Sequence, residues 1–204
     1  VFYDWGDFGR LVEDGFADEK TDPGAEDETT AAAIDFIKLN KPALTFIHLD
    51  HVDHAGHDTG WTKTAEDCVR GDGCPYLAAV EKADQLIAEI LAAIDDAGMG
   101  ESTAVIVSAD HGGMFTGHGG DTYDERCIPF IMTGPGVLPG QIQRVPRIYD
   151  IPATAAAILG LELPEAWVGR PVLDAFADYR LPTPSSTSIE HQQITEYTKL
   201  YDDA

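Results

Sequence analysis

The chain has 204 residues, 44% of them hydrophobic, and carries 36 acidic against 13 basic residues for a net charge of −23. That length can bury a real core as one large domain or two small ones, and the near-average hydrophobic content excludes wholesale disorder. So acidic a surface repels nucleic-acid backbones and anionic membranes, and no run approaches the ~20 apolar residues of a spanning helix.

The opening Val1-Phe2-Tyr3-Asp4-Trp5 shows no initiator Met, basic region or apolar core, hence no signal peptide. Either a leader has been removed or the chain begins inside a longer protein. Residues 12–29 are acidic, are broken by Asp22-Pro23-Gly24, and read as loop. Ala32, Ala33, Phe36, Ile37 and Leu39 recur at near-helical spacing and predict a helix over about 25–40, ended by Asn40-Lys41-Pro42. Ala43 to Leu49 is a short apolar run with the character of a buried strand, followed by a histidine-rich loop to Trp61.

Cys68 and Cys74 bracket a turn-rich loop where a small disulfide ring is reasonable. Such a bridge points to an oxidising compartment, so a periplasmic or secreted location is expected. Leu77, Val80, Ala83, Ile87, Ile90, Leu91 and Ile94 line one stripe of a helix over 76–97, stopped by Gly98-Met99-Gly100. Thr103 to Ala109 is a second buried strand that delivers Asp110-His111 at its carboxyl end. Cys127 reads as a core thiol beside a third strand, Ile128 to Thr133, which Gly134-Pro135-Gly136 closes. A helix over 149–161 carries Pro152 in its first turn, where the missing N–H costs little. Beyond about residue 177 the chain turns polar, so 1–176 are expected to form one catalytic unit and 177–204 a tail or arm. The alternation predicts an α/β fold with a mixed, mostly parallel sheet flanked by helices, and ligands gather beyond the carboxyl ends of such strands.

Chemistry concentrates in two segments. Asp110-His111-Gly112-Gly113 follows a buried strand directly, and His118 sits between glycines in Gly117-His118-Gly119-Gly120. A lone Asp-His at a strand end is ordinarily an incidental cap, but glycine on both sides of His118 has no core-packing purpose. These are metal-ligand types in a place where backbone can approach an ion. The other segment, His48-Leu49-Asp50-His51-Val52-Asp53-His54-Ala55-Gly56-His57, offers several pairings, including Asp50 with His51 or with His54. Spacing alone does not choose among its four histidines, and a solvated loop is the bland alternative. Asp53, His57, Asp110, His111 and His118 together exceed one closed tetrahedral site and point to two metals side by side.

Asp53-x-x-Gly56-His57-x-x-Gly60, Ser108-Ala109-Asp110-His111-Gly112-Gly113 and Gly117-His118-Gly119-Gly120 resemble the alkaline phosphatase superfamily. The branch is that of type I phosphodiesterase/nucleotide pyrophosphatase and sulfatase-like hydrolases. Ile128-Pro129-Phe130-Ile131, Tyr149 to Thr154 and Gly169-Arg170-Pro171 extend the likeness, which runs from about Phe46 to Val172. The resemblance implies that Asp53, His57 and His118 hold one divalent ion and that Asp110 and His111 belong to a second. Zinc is the usual metal of this branch, with manganese or calcium in relatives. His48, His51 and His54 are not assigned by it.

The family completes its second ion with an N-terminal Asp, at the end of an apolar strand, and a Thr or Ser nucleophile. Residues 1–52 show no such pattern, and Thr21, Thr29 and Thr30 read as caps. The expectation is therefore the C-terminal portion of a longer enzyme, with little turnover from these residues alone. The implied function is two-metal hydrolysis of a small phosphate ester through a phospho-Thr/Ser intermediate. A phosphomutase of the same superfamily is the first alternative, disfavoured by the roughly 50 residues between His57 and Asp110, too few for a cap domain. A non-catalytic metal-binding module is the second.

Overall fold

A computed structural model describes residues 1–61, 74–142 and 144–177. Its elements in chain order are β1 (Phe2–Tyr3), a 3-10 turn (Gly6–Leu11), α1 (Glu26–Asn40), β2 (Ile47–His48), α2 (His51–Thr59) and α3 (Pro75–Asp96). After α3 come β3 (Val105–Ser108), α4 (Tyr123–Arg126), β4 (Phe130–Thr133) and α5 (Asp150–Ile158).

Helix α1 starts without a side-chain cap, but Glu26, Asp27 and Glu28 place negative charge in its first turn, where the helix dipole favours it. It ends at Lys41, left-handed at φ 48°, whose N–H donates to the Ile37 carbonyl, and Pro42 prevents continuation. Helix α3 begins with Pro75 at a position that needs no hydrogen-bond donor. It closes in a Schellman turn, with Gly98 N–H donating to Asp95 O and Met99 N–H to Ile94 O. Helices α1 and α3 pack on each other, and α2 packs on α3.

The core sits where these helices meet the strands. Ile37, Ile90 and Ile94 form its buried centre, with Ile34, Ile47, Met99 and Val105 packed around them. Each buried isoleucine removes an apolar side chain from water and contributes about 1.5–3 kcal/mol.

The α/β class holds, and the strands form two two-stranded ladders among the described residues. β1 and β2 run parallel with Phe2 opposite Ile47, while β3 and β4 run antiparallel with Val105 opposite Thr133. β2 is much shorter than the predicted 43–49 strand, and Leu44 and Phe46 are exposed. On α3 the inward face is Leu86, Ile90, Ala93 and Ile94, so the predicted stripe is rotated and Leu77, Val80 and Leu91 face outward. Cys127 is an exposed free thiol rather than a core residue. Thr29 and Thr30 lie buried inside α1, past its Ala25 cap position, so neither is a cap. Cys68 and most of 177–204 lie outside the described residues.

One polar knot fixes the distal end. Asp150, 1% exposed, accepts from Arg147 N at 2.8 Å, Arg170 N at 2.8 Å and Arg144 Nη1 at 2.6 Å. Thr154, fully buried, donates to Asp150 O and accepts from Val172 N. These bonds lash the 144–147 and 170–172 segments to the start of α5.

Candidate metal centre

The predicted histidine-rich loop is a helix. No apolar periodicity announces α2, yet its polar side chains pair at i,i+4, as helical spacing requires. Asp50 Oδ2 lies 3.1 Å from His54 Nε2, and Asp53 Oδ2 lies 3.4 Å from His57 Nε2. Asp4, at the end of β1, anchors the helix start by accepting from Asp50 N at 2.7 Å. A short strand ending in Asp is thus present within residues 1–52, where the sequence pattern gave no sign of one.

The other ligand types arrive on a tight hairpin. Met114 and Gly117 exchange backbone hydrogen bonds, which folds His118 back towards His111. The two imidazoles stack with centroids 3.8 Å apart. Helix α4 secures both flanks: Glu125 N donates to Thr122 Oγ1 and Thr122 N to the Glu125 carboxylate in a capping box, that carboxylate also accepts from Gly120 N and Thr122 Oγ1, and the Glu125 backbone carbonyl accepts from Gly112 N. The Thr122 hydroxyl is the main reason the Glu125 carboxyl is held below the usual carboxylate range.

All five predicted residues come together. Asp53 Oδ1 lies 3.9 Å from His111 Nε2 and 3.7 Å from His118 Nε2. His111 Nε2 lies 3.5 Å from Asp110 Oδ2, and the His57 and His118 rings are 4.9 Å apart. The implied split gives His111 to the Asp110 ion, but in the fold its Nε2 faces Asp53 as well, so His111 stands between the two carboxylates.

The donor set suits a divalent cation on three counts. Asp53 Oδ1 is buried and accepts no hydrogen bond, a cost that an ion removes. Spacings of 3.4–3.9 Å from Asp53 are long for hydrogen bonds, whereas two bonds of about 2.1 Å meeting near the tetrahedral angle span about 3.4 Å. His57 Nδ1 faces Thr116 O at 3.0 Å and His111 Nδ1 faces Gly112 O at 2.8 Å. A carbonyl only accepts, so both protons sit on Nδ1 and both Nε2 lone pairs point inward.

The remaining histidines of α2 and its approach are placed elsewhere. His54 is mostly exposed on Asp50, and His51 Nε2 contacts Ala79 O. His51 also groups with Asp4 and Glu26 within 4.8 Å, but there Asp4 already serves Asp50 N and His48. His48 Nδ1 is 3.6 Å from Asp4 Oδ1, and this partner raises the His48 pKa against the opposing effect of burial. A raised histidine value stabilises the fold fully below the unfolded value near 6.5 and less as pH rises through the folded one. NMR titration should therefore find His48 protonating above pH 6.5, with Asp4→Asn lowering its midpoint. The urea midpoint should fall from neutral to alkaline pH less steeply in that variant. A His48 midpoint indifferent to Asp4→Asn would remove this account.

Sequence reasoning missed Trp61, whose ring lies 5.0 Å from His57 and 5.9 Å from His118 by centroids. No local pattern distinguished it from any other loop tryptophan.

The family model described as type I phosphodiesterase / nucleotide pyrophosphatase matches residues 5–129. A phosphopentomutase of Methylobacterium sp. (strain 4-46) is 36% identical over 135 residues, covering 66% of this chain and 29% of its own length. A 2,3-bisphosphoglycerate-independent phosphoglycerate mutase of Rhodopirellula baltica is 28% identical over 168 residues, 77% of this chain and 27% of its own. The steryl-sulfatase of Rattus norvegicus is 28% identical over 163 residues, 69% of this chain and 27% of its own. The chain thus spans under a third of the length of these relatives. Among the described residues no helix is long and apolar enough to cross a membrane. With the family model covering more than half of it, the chain belongs to the type I phosphodiesterase / nucleotide pyrophosphatase family of the alkaline phosphatase superfamily.

Proposed function

We propose that this chain supplies the metal-holding portion of a two-metal hydrolase acting on small phosphate esters. The observation that carries the reading is Asp53, whose buried, unpartnered Oδ1 faces the Nε2 atoms of His111 and His118. Asp53, His57 and His118 would hold one divalent ion, and Asp110 and His111 would contribute to a second. Zinc suits this nitrogen and carboxylate set best, with manganese or calcium as alternatives. A bound divalent ion supplies Lewis acidity towards ester oxygens and lowers the pKa of a hydroxyl nucleophile.

The chain's own residues do the preparatory work. The Thr116 and Gly112 carbonyls fix which imidazole nitrogen is protonated, and the Asp53 carboxylate sets negative charge among three imidazoles. In this reading the nucleophile is a Thr or Ser outside the 204 residues, residues 1–176 are part of one alkaline phosphatase-like domain, and 177–204 form an arm. A Cys68–Cys74 bridge would accompany a periplasmic or secreted location. No nucleic-acid partner fits a net charge of −23.

The phosphomutase reading gains from one specific observation. The phosphoglycerate mutase match covers 77% of this chain in 168 aligned positions, so it spans both ligand segments with no room for a domain between them. The short His57–Asp110 spacing therefore does not separate mutase from hydrolase. Assay of the full-length protein on a phosphate monoester, a phosphate diester, a sulfate ester and a pentose phosphate decides. Phosphate release, lost on chelation and restored by zinc, is the expected result. Isomerisation of the pentose phosphate without phosphate release would replace the hydrolase reading with the mutase one, and sulfate release alone would sink both.

A further inference from the structure

Three chain segments carry the ligand types, and the indole of Trp61 touches all of them. Beyond α2 the chain turns at Gly60, and Trp61 N–H donates to the Phe115 carbonyl at 2.8 Å, which ties the end of α2 to the hairpin between His111 and His118. The ring then folds back over the site. It meets His57 edge-on at 79° and His118 at 85°. A Cβ added at Gly56, one residue before His57, would fall inside the envelope of Trp61 Cε2, Cζ2 and Cδ2. At Gly113, two residues after His111, the nearest atoms are again Trp61 Cδ2, Cε2 and Cγ.

The geometry points to Trp61 as a positioning residue of the metal centre. Its indole is the wall that sets the His57 and His118 rings, and glycine stands at 56 and 113 because the indole fills their side-chain space. Aromatic rings prefer this edge-to-face contact at such separations. The ring contacts also supply what hydrogen bonds leave open. The Nδ1–carbonyl bonds of His57 and His111 fix protonation and one direction, while stacking on His111 and the Trp61 edge bracket His118. The inference rests on the reading of the site as metal-binding and adds that its affinity is set partly by a residue that ligates nothing.

Cobalt(II) alone is the probe, titrated into full-length protein freed of metal, with its visible absorption reporting ligand geometry. Wild type should bind it with a defined spectrum. Trp61→Ala should weaken binding about 10- to 100-fold, the range for groups that orient metal ligands, and alter the spectrum. Gly113→Ala should weaken binding by at least about tenfold on the same ground. Combined with Trp61→Ala it should cost nothing further, because the added methyl then has room. Trp61→Phe keeps an aromatic wall for the case where Trp61→Ala does not fold. It should lose less than Trp61→Ala and recover part of the Gly113→Ala loss.

An unchanged cobalt affinity and spectrum in Trp61→Ala, or a Gly113→Ala loss that neither Trp61 substitution relieves, overturns the inference while the metal reading survives. Failure of wild type to bind cobalt(II) overturns both.

Discussion

Asp53→Ala is expected to lower kcat/KM of the full-length protein by at least about 10³-fold, since in the proposed two-metal mechanism several kcal/mol of charge stabilisation would depend on the ion this carboxylate is proposed to hold. The same change should leave the apo fold as stable as wild type, or slightly more so. Asp53 Oδ1 is buried without a hydrogen-bond donor, and His111 Nε2 and His118 Nε2 lie 3.9 and 3.7 Å from it, too far for hydrogen bonds. Without an ion this arrangement is a liability, because a desolvated acceptor is left unsatisfied. Removing it relieves the apo protein and disables the loaded one. Metal content and apo melting temperature, measured together with kcat/KM, separate these effects. Activity within tenfold of wild type, at normal zinc content, would mean that Asp53 is not a ligand.

Asp150→Ala should act in the opposite sense, costing about 3–5 kcal/mol of stability, as breaking a buried charged network does. Its carboxylate is 1% exposed and takes three donors, from Arg144, Arg147 and Arg170. Alanine leaves two backbone N–H groups and a guanidinium without their acceptor. Asp150→Asn should recover only part of the loss, since an amide offers one acceptor oxygen where three donors converge. Denaturant unfolding checks the magnitude, and cobalt binding by whatever fraction remains folded should be normal. A loss under about 1 kcal/mol would show the knot to be replaceable by water.

Much of this molecule was legible from its residues, and the misses have physical causes. The extent of α3 followed from its apolar repeat and from the stop at Gly98, because helix ends are governed by local chemistry. Its buried face did not, because α1 and α2 decide which side is covered and bring Leu86 and Ala93 inward while Leu77 is left outside. Helix α2 was invisible to periodicity: Gly56 and five charged or histidine side chains leave it no apolar stripe, and Asp4 and α3 hold it in place. Asp53, His57, Asp110, His111 and His118 were singled out through ordered motifs rather than through spacing alone, and the fold brings them close to one another. Asp4 and Trp61 were missed because their contacts depend on how segments far apart in the chain meet. The spacing argument against a phosphomutase failed because it assumed an inserted domain between two motifs that a mutase relative matches together.

The four-residue helix α4 has a consequence for how the site meets its ion. Glu125 binds Gly120 and Thr122 through its side chain and Gly112 through its carbonyl, so His111 and His118 are closed into one loop of fewer than twenty residues. Loop-closure entropy is small at that length, and it is spent when the chain folds rather than when metal arrives. In the proposed two-metal centre both imidazoles would therefore be set in place by the fold before any cation arrives, so that binding would require little further ordering of this stretch of backbone.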